Sequence, residues 1–532
     1  MEPSQKSILS IICSGLWQPI SILGLTISGI ASGSDHYPVY ENNAGVTTMS
    51  ELKLDLSNLK DVFAERFAAD KVAAAQTFFL KTLSLSMHKH YKGKMQSLPK
   101  AGIWGFNWFN VWYTPGVSSV STTIRDNHLA SFELSNRGNL VAVVSDSTRV
   151  LGDGDCSPSG GLGVMEGKAM LMKYLGGFDA MALCVDNRRP DGKPDPDKLI
   201  DFVKMLAPSV GAVNLEDISQ PNCYKVLDEL RDSCDIPVWH DDAQGTASVT
   251  LAGLINALRL TERKIEESRV VLYGAGASNT TIASFLLQSG LDPAKLTVFD
   301  SRGALHRKRA DLPGNPDKYK QWQLAELSNP QCYSTMEEAM RGADVLIALS
   351  TPGPDTIKQD WIRLMNKQSI VFTCANPVPE IYPYDAKAAG AYICATGRGD
   401  FPNQINNSCG FPGILKGALL VRARKITDRM AIRAAHSLAD FALARGIAPD
   451  NIVPTMDEAE VFAREAADVA MQAIADGVAR LELSYEEVYE RASADIKASR
   501  ELTHKMMQEG FIGEPPRELI EQALLLTEEK YR

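Results

Sequence analysis

Two short apolar runs in this chain each end in a pair of acids. Val210–Leu215 runs into Glu216 and Asp217, and Ile236–Trp239 is followed closely by Asp241 and Asp242. Between them, PNCYKVLDELRDSC opens with Pro221, which a first helical turn accepts, and carries Val226, Leu227 and Leu230 on one side. The order is strand, helix, strand. A right-handed crossover makes such strands parallel and brings both carboxyl ends to one sheet edge. Four acids then share one crevice, at the edge where open α/β sheets bind ligands. Like charges that close repel unless a cation sits among them or some hold protons. A hard divalent ion with oxygen ligands, Mg²⁺ or Mn²⁺, resolves the repulsion. Two solvated acidic loop ends are the alternative.

Lys168 lies near the start of a helical stretch, VMEGKAMLMKYLGG, that follows the loop SDSTRVLGDGDCSPSGGLG. Its GK pair is no phosphate-binding P-loop, because Leu162 stands at the first glycine position and Ala169 at the hydroxyl position. Lys168 is either a surface lysine or one aimed at the acids. Among Met, Leu and Ala, burial is expected to lower its pKa and make it a usable base.

A second constellation is SRVVLYGAGASNTTIASFLLQSG followed by LTVFD. Strand, glycine turn, helix and strand come in order. Gly274, Ala275, Gly276, Ala277 and Ser278 form the turn, and Asp300 closes the second strand. Amides at the helix start suit a pyrophosphate, and the acid suits a ribose hydroxyl. The third glycine position holds Asn279, whose side chain is expected to crowd the helix or alter the phosphate approach. A glycine-rich turn in a non-nucleotide unit is the alternative. Arg302, Arg307, Lys308 and Arg309 follow Asp300 and could meet a 2′-phosphate, so NAD and NADP both stay open.

These residues must be positioned by a large chain. It has 532 residues, 23% charged and 45% hydrophobic, as a soluble globular protein of about two to four domains would. A net charge of −10 argues against nucleic-acid binding. Nine cysteines without a CxxC pair fit a reducing, cytoplasmic setting. The first 48 residues read as an unstructured extension. Ile8–Ile30 is apolar but broken by Ser14, Gly15, Gln18 and Pro19, a poor membrane span and a mediocre secretory signal. Residues 50–100 read as helical, with His88 and His90 on different sides.

An aromatic run follows: Trp104, Phe106, Trp108, Phe109, Trp112 and Tyr113. The tryptophans are spaced by four, so a helix stacks them on one face. They pack in a core or a subunit interface, or they wall a ligand pocket. Further strands keep one rhythm, each ending in a polar loop: Leu140–Val144, Met181–Val185, Asp344–Leu349 before Ser350, Ser369–Cys374 before Asn376, and Ala391–Cys394 before the loop holding Asn407. From Leu415 onward the pattern is mainly helical.

The order YTPGV, VMEGKA, NLEDI, HDDAQGTA, YGAGAS, VFDSRGA, ANPVPEI, GRGDFPNQINN and FPGILKGAL resembles the malic enzymes, particularly the shorter bacterial type. The resemblance runs from about residue 75 to about 475. It implies an α/β fold: a parallel α/β substrate and metal domain over 131–260, a Rossmann-type domain over 261–450, helices over 49–130 and a helical C-terminal segment over 451–532. It also implies oxidative decarboxylation of malate to pyruvate and CO₂, with NAD or NADP, Mg²⁺ or Mn²⁺, and a homodimer or homotetramer. Position by position, Glu216, Asp217 and Asp242 match metal ligands, Tyr113 the general acid, Lys168 the general base, and Asp241 its acidic neighbour. Asn376 and Asn407 match residues on the substrate, and Arg149 matches an arginine of larger members that grips a carboxylate. Gly274–Ser278, Asp300, Ser350 and Asn376 fall on the cofactor side. Three departures touch the site: the aromatic approach to Tyr113, the DSTRVLGDGDCS loop, and Ser278–Asn279 in the turn. A related 2-hydroxy acid with a β-carboxylate, a malolactic-type reaction, a non-redox metal lyase and a nucleotide-binding regulator therefore stand as alternatives.

Overall fold

The computed structural model describes residues 50–531, and the expectation for residues 1–48 lies outside that range. The chain forms two compact units. One gathers the described residues up to Thr77 with those from Glu528, and is pinned by an Arg66–Glu528 ion pair at 2.8 Å. The other, Phe78–Thr527, carries both sheets.

The first sheet holds β1 (Leu140–Ser145), β2 (Asp179–Cys184), β3 (Ala212–Leu215) and β4 (Val238–His240) in the order β2-β1-β3-β4. Every pairing is parallel. Val141, Ala142, Val143 and Val144 of β1 are fully buried, as an unbroken apolar run covered on both faces requires. The helix Leu162–Gly176 buries Met165, Lys168, Ala169, Met172 and Leu175, so its core-facing stripe includes the lysine.

The second sheet holds β5 (Val270–Tyr273), β6 (Leu296–Asp300), β7 (Gly303–Ala304), β8 (Val345–Ala348), β9 (Ser369–Thr373) and β10 (Ala391–Thr396). Its order is β10-β9-β8-β5-β6-β7. All pairings are parallel except β6–β7, a tight antiparallel return that apolar periodicity did not foretell. The winding reverses between β5 and β8, the crevice where such sheets take ligands. The helix Thr246–Leu260 links the sheets and is buried on nearly all sides.

The helices Phe411–Leu420, Asp428–Arg445, Glu460–Ala475 and Tyr485–Gln508 follow, with Arg517–Tyr531 after them. Glu460–Ala475 packs against Phe411–Leu420, Asp428–Arg445 and Tyr485–Gln508. Buried Lys416 reaches Asp495 at 2.5 Å and fixes Phe411–Leu420 to Tyr485–Gln508. No helix among the described residues is long and apolar enough to cross a membrane.

Candidate active site

Strands β3 and β4 pair with Leu215 opposite His240, so the acids that follow them emerge side by side. Carboxylate oxygens of Glu216, Asp217 and Asp242 all lie within 4.8 Å of one another. The Asp217 amide donates to Asp242 Oδ2 at 2.8 Å, which locks the two strand ends together. Asn214 Nδ2 donates to Glu216 Oε2 at 2.9 Å, and the Leu151 amide to Asp217 Oδ1 at 3.3 Å. Asp217 Oδ2 is buried and has no hydrogen-bond partner among the described residues. Burial first, and Asp242 second, push the Asp217 carboxyl up to about 7. Glu216 is held well above the carboxylate range by burial; Lys168 opposes this, and the other three acids add to it. Three crowded oxygen donors, one of them orphaned, fit a hard divalent cation. The geometry therefore favours the metal reading over two solvated loop ends.

Asp241 takes a different place. It is fully buried, accepts from Trp239 Nε1 at 3.0 Å, and pairs with Lys168 Nζ. Lys168 Nζ also lies 3.3 Å from Glu216 Oε1, 3.4 Å from Asn407 Oδ1 and 4.3 Å from the centre of the Phe411 ring. Lys168 is thus aimed at the acids and is no surface lysine. The expected direction of its pKa is corrected. Burial does pull it down, but Asp241 and Glu216 outweigh burial and hold the ammonium above its ordinary value. The sequence argument counted desolvation and missed the carboxylates facing the group.

Arg149 stands at the mouth of the crevice. Its amide donates to the Asp217 carbonyl at 2.9 Å, and its exposed guanidinium makes no ion pair among the described residues. Asn376 is exposed at the end of β9, close to the loop at Gly152. Tyr113 is not brought to this group. It is 70% exposed, and its hydroxyl makes no hydrogen bond among the described residues. The tryptophans do stack as their spacing predicts, with centroids 4.9 Å apart for Trp104–Trp108 and 5.8 Å for Trp108–Trp112. They form no core of this chain, because all three are exposed.

The glycine turn is built for close approach. A Cβ on Gly274 would stand 2.4 Å from the Leu349 carbonyl oxygen, whereas Gly276 opens onto free space ahead of the helix Ala277–Gln288. Such a helix start can receive phosphate oxygens. Asn279 does not crowd the helix. Its side-chain amide donates to the carbonyls of Tyr273 at 3.0 Å and Gly274 at 2.9 Å, closing the turn from inside. Ser278 Oγ donates to the Asp242 carbonyl at 2.9 Å and so ties the turn to the acid crevice. The Ser350 amide and hydroxyl both donate to Glu380. The Asp300 carboxylate is bridged by Arg309.

Family models for the malic enzyme N-terminal domain and the malic enzyme NAD-binding domain match residues 106–231 and 243–474. A malic enzyme crystal structure from Entamoeba histolytica is 58% identical, with a TM-score of 0.88 over 91% of this chain and 100% of that one. The NAD-dependent malic enzyme of Geobacillus stearothermophilus is 40% identical over 74% of this chain and 79% of its own. The chain belongs to the malic enzyme family. The NADP-dependent malic enzyme of Halomonas elongata is also similar, 37% identical over 69% of this chain and 87% of its own. Relatives named for either nucleotide thus surround this malic enzyme.

Several residues of this malic enzyme's site carried no sequence signal. Glu380, buried in ANPVPE, accepts from Ser350 and from the Ala375 amide, joining the loops after β8 and β9. Asp146 accepts from Thr148 Oγ1 at 2.6 Å and Asn187 Nδ2 at 3.0 Å, bracing the loop that carries Arg149. The residues Asp241–Gly245 make one turn of π-helix, which aims Asp241 inward. A Cβ on Gly245 would stand 2.0 Å from Asp241 Oδ1. Gly245→Ala is therefore expected to displace the partner of Lys168. It should cost about 1–3 kcal/mol by thermal denaturation and lower kcat by about tenfold or more in steady-state assays.

Proposed function

We propose that this malic enzyme oxidises malate to pyruvate and CO₂ while reducing NAD⁺ or NADP⁺. The observation that carries the reading is Lys168, buried against Asp241 and Glu216 beside three converging carboxylates. Glu216, Asp217 and Asp242 are the residues to hold Mg²⁺ or Mn²⁺, and the Gly274–Ser278 turn with Asp300 the residues to hold the nucleotide. When bound, these supply a Lewis acid and a hydride acceptor.

The chain's own groups do the rest. Lys168 accepts the proton of the substrate's C2 hydroxyl at Nζ. Charge compensation at the three ligand acids loosens the hold that keeps its ammonium protonated, while Asp241 stays as the fixed partner. Asn407 Oδ1 orients Nζ, and Arg149 offers its guanidinium to a substrate carboxylate. Asn376 approaches the substrate from the end of β9. Tyr113, matched by the resemblance to the general acid that returns a proton to C3, stands apart from this group within the chain. Purified protein with Mn²⁺, each nucleotide and a panel of 2-hydroxy dicarboxylates, followed at the absorbance of reduced nicotinamide, tests the reading. Malate should support reduction; its failure, with any other acid succeeding, overturns the substrate.

The basic edge after Asp300 supports NADP⁺ as the better nucleotide. Both Asp300 oxygens are engaged by Arg309, at 3.0 and 2.9 Å, and the Arg302 amide adds a bond at 2.8 Å. Arg309 is itself shared with Asp311. The Arg302 guanidinium is 64% exposed and free to swing toward a 2′-phosphate from its contact with Asp311. Arg302→Ala should raise the KM for NADP⁺ about tenfold and leave that for NAD⁺ within about twofold. Equal changes in both would reject this assignment.

A further inference from the structure

We propose that Ser278 is a positioning residue that couples nucleotide binding to metal binding. Its hydroxyl joins the turn that carries Asp242 to the first helical turn of the nucleotide site, so that each ligand raises the affinity for the other. The proposal rests on the functional reading above, and its test separates the two.

The two ligand sites belong to different sheets. Glu216 and Asp217 follow β3, Asp242 follows β4, and the Gly274–Ser278 turn leaves β5. Their carboxylates and amides share no side chain, so any coupling must run through bonds between the elements. Two such bonds meet the first turn of the helix Ala277–Gln288. Ser278 Oγ donates to the Asp242 carbonyl at 2.9 Å. Two residues on, Thr280 Oγ1 shares a hydrogen bond of 3.0 Å with the Tyr224 hydroxyl, and both side chains are buried. Tyr224 stands at the start of the helix Asn222–Ser233, which leads from β3 to β4. One helical turn is therefore bonded to the chain that follows each acid-bearing strand.

The Ser278 bond acts on the acid with the most freedom. The Asp242 side chain is 37% exposed, whereas Glu216 and Asp217 are buried. Asp242 also sits in the single π-turn Asp241–Gly245, a wide turn that is stable only where its surroundings hold it. On the other side, the helix Ala277–Gln288 starts without a side-chain cap. A pyrophosphate drawn to its first amides orders that turn. Through Ser278 it then orders the Asp242 backbone and, with it, the carboxylate. A cation held by Asp242 fixes the same bond from the opposite end. Each ligand supplies part of the ordering that the other requires, which is positive and reciprocal coupling. Ser278 departs from the small residues expected in a dinucleotide turn, and this bond gives that departure a use: alanine or glycine there has no donor for the Asp242 carbonyl.

The test is calorimetric titration of the full chain with Mn²⁺, first in buffer and then in saturating NADP⁺, with NAD⁺ in a parallel arm. Wild type should bind Mn²⁺ about tenfold more tightly in the presence of the nucleotide it uses. In Ser278→Ala that ratio should fall to within about twofold of unity. Ser278→Thr keeps a hydroxyl and should restore the ratio, which a general loosening of the turn would not allow. A Ser278→Ala protein that keeps the wild-type ratio overturns the proposal, and so does equal loss in the alanine and threonine variants. Wild type that binds both ligands independently overturns the proposal and leaves the functional reading standing. Wild type that binds no Mn²⁺ or neither nucleotide overturns both.

Discussion

Lys168→Ala should lower malate oxidation by about 10³-fold or more while metal-dependent decarboxylation of added oxaloacetate survives. The split follows from geometry. Lys168 Nζ touches Asp241, Glu216 and Asn407, and the three candidate ligand acids are placed by β3, β4 and their own backbone bonds. Removing the lysine deletes the proposed proton acceptor and leaves the oxygens of the three acids in position. It also uncovers two buried carboxylates, which is expected to cost stability. Lys168→Arg separates the effects. A guanidinium keeps the positive charge but does not give up its proton near neutral pH, so it should restore much of the thermal stability and little of the oxidation. Steady-state rates with malate, rates with oxaloacetate and melting curves for both variants make the measurement. Near-normal malate turnover by either variant would mean that another group takes the hydroxyl proton.

The same lysine marks how far the sequence could be read. The acid-ended strands, the helix between them and the lysine helix were all legible, because each rests on local periodicity and on one handedness rule. β3 begins at Ala212, two residues later than the apolar run, since pairing with β1 decides where a strand starts. The charge state of Lys168 was not legible. It depends on Asp241, 73 residues away, and on the π-turn that points Asp241 inward. Glu380 and Asp146 were missed for the same reason: each joins its own loop to a partner on another, Ser350 for Glu380 and Asn187 for Asp146. Asn279 was compared with a glycine pattern, and the partners its amide finds, the Tyr273 and Gly274 carbonyls, could not be read from that pattern. The aromatic run gave its stacking correctly through spacing, but spacing says nothing of what lies opposite the stack.

Asp217→Asn should make the metal-free protein more stable near pH 7.5 while reducing malate oxidation by about 10³-fold. Asp217 is 2% exposed, its Oδ2 has no partner among the described residues, and burial with Asp242 pushes its carboxyl up to about 7. In the unfolded chain an aspartate titrates near about 4. Between those values the folded protein binds a proton that the unfolded chain has released. Stability of the metal-free protein therefore falls as pH rises from about 4 to about 7, and this contribution is constant above that window. Asparagine carries no such charge, so the melting temperature of the variant relative to wild type should climb across that range, reaching about a few degrees at pH 7.5. Mn²⁺ reverses the order. Wild type gains from binding a ligand that the unfolded chain does not hold, and the gain grows with pH as the raised carboxyls of Asp217 and Glu216 give up their protons. The variant, with one anionic oxygen donor removed, should gain little. Melting curves from pH 5 to pH 8, with and without Mn²⁺, give both comparisons. If the variant showed the wild-type shift with Mn²⁺, Asp217 would not be a ligand. If its metal-free stability relative to wild type did not rise with pH, the crowding of acids at the ends of β3 and β4 would not be what that cation relieves.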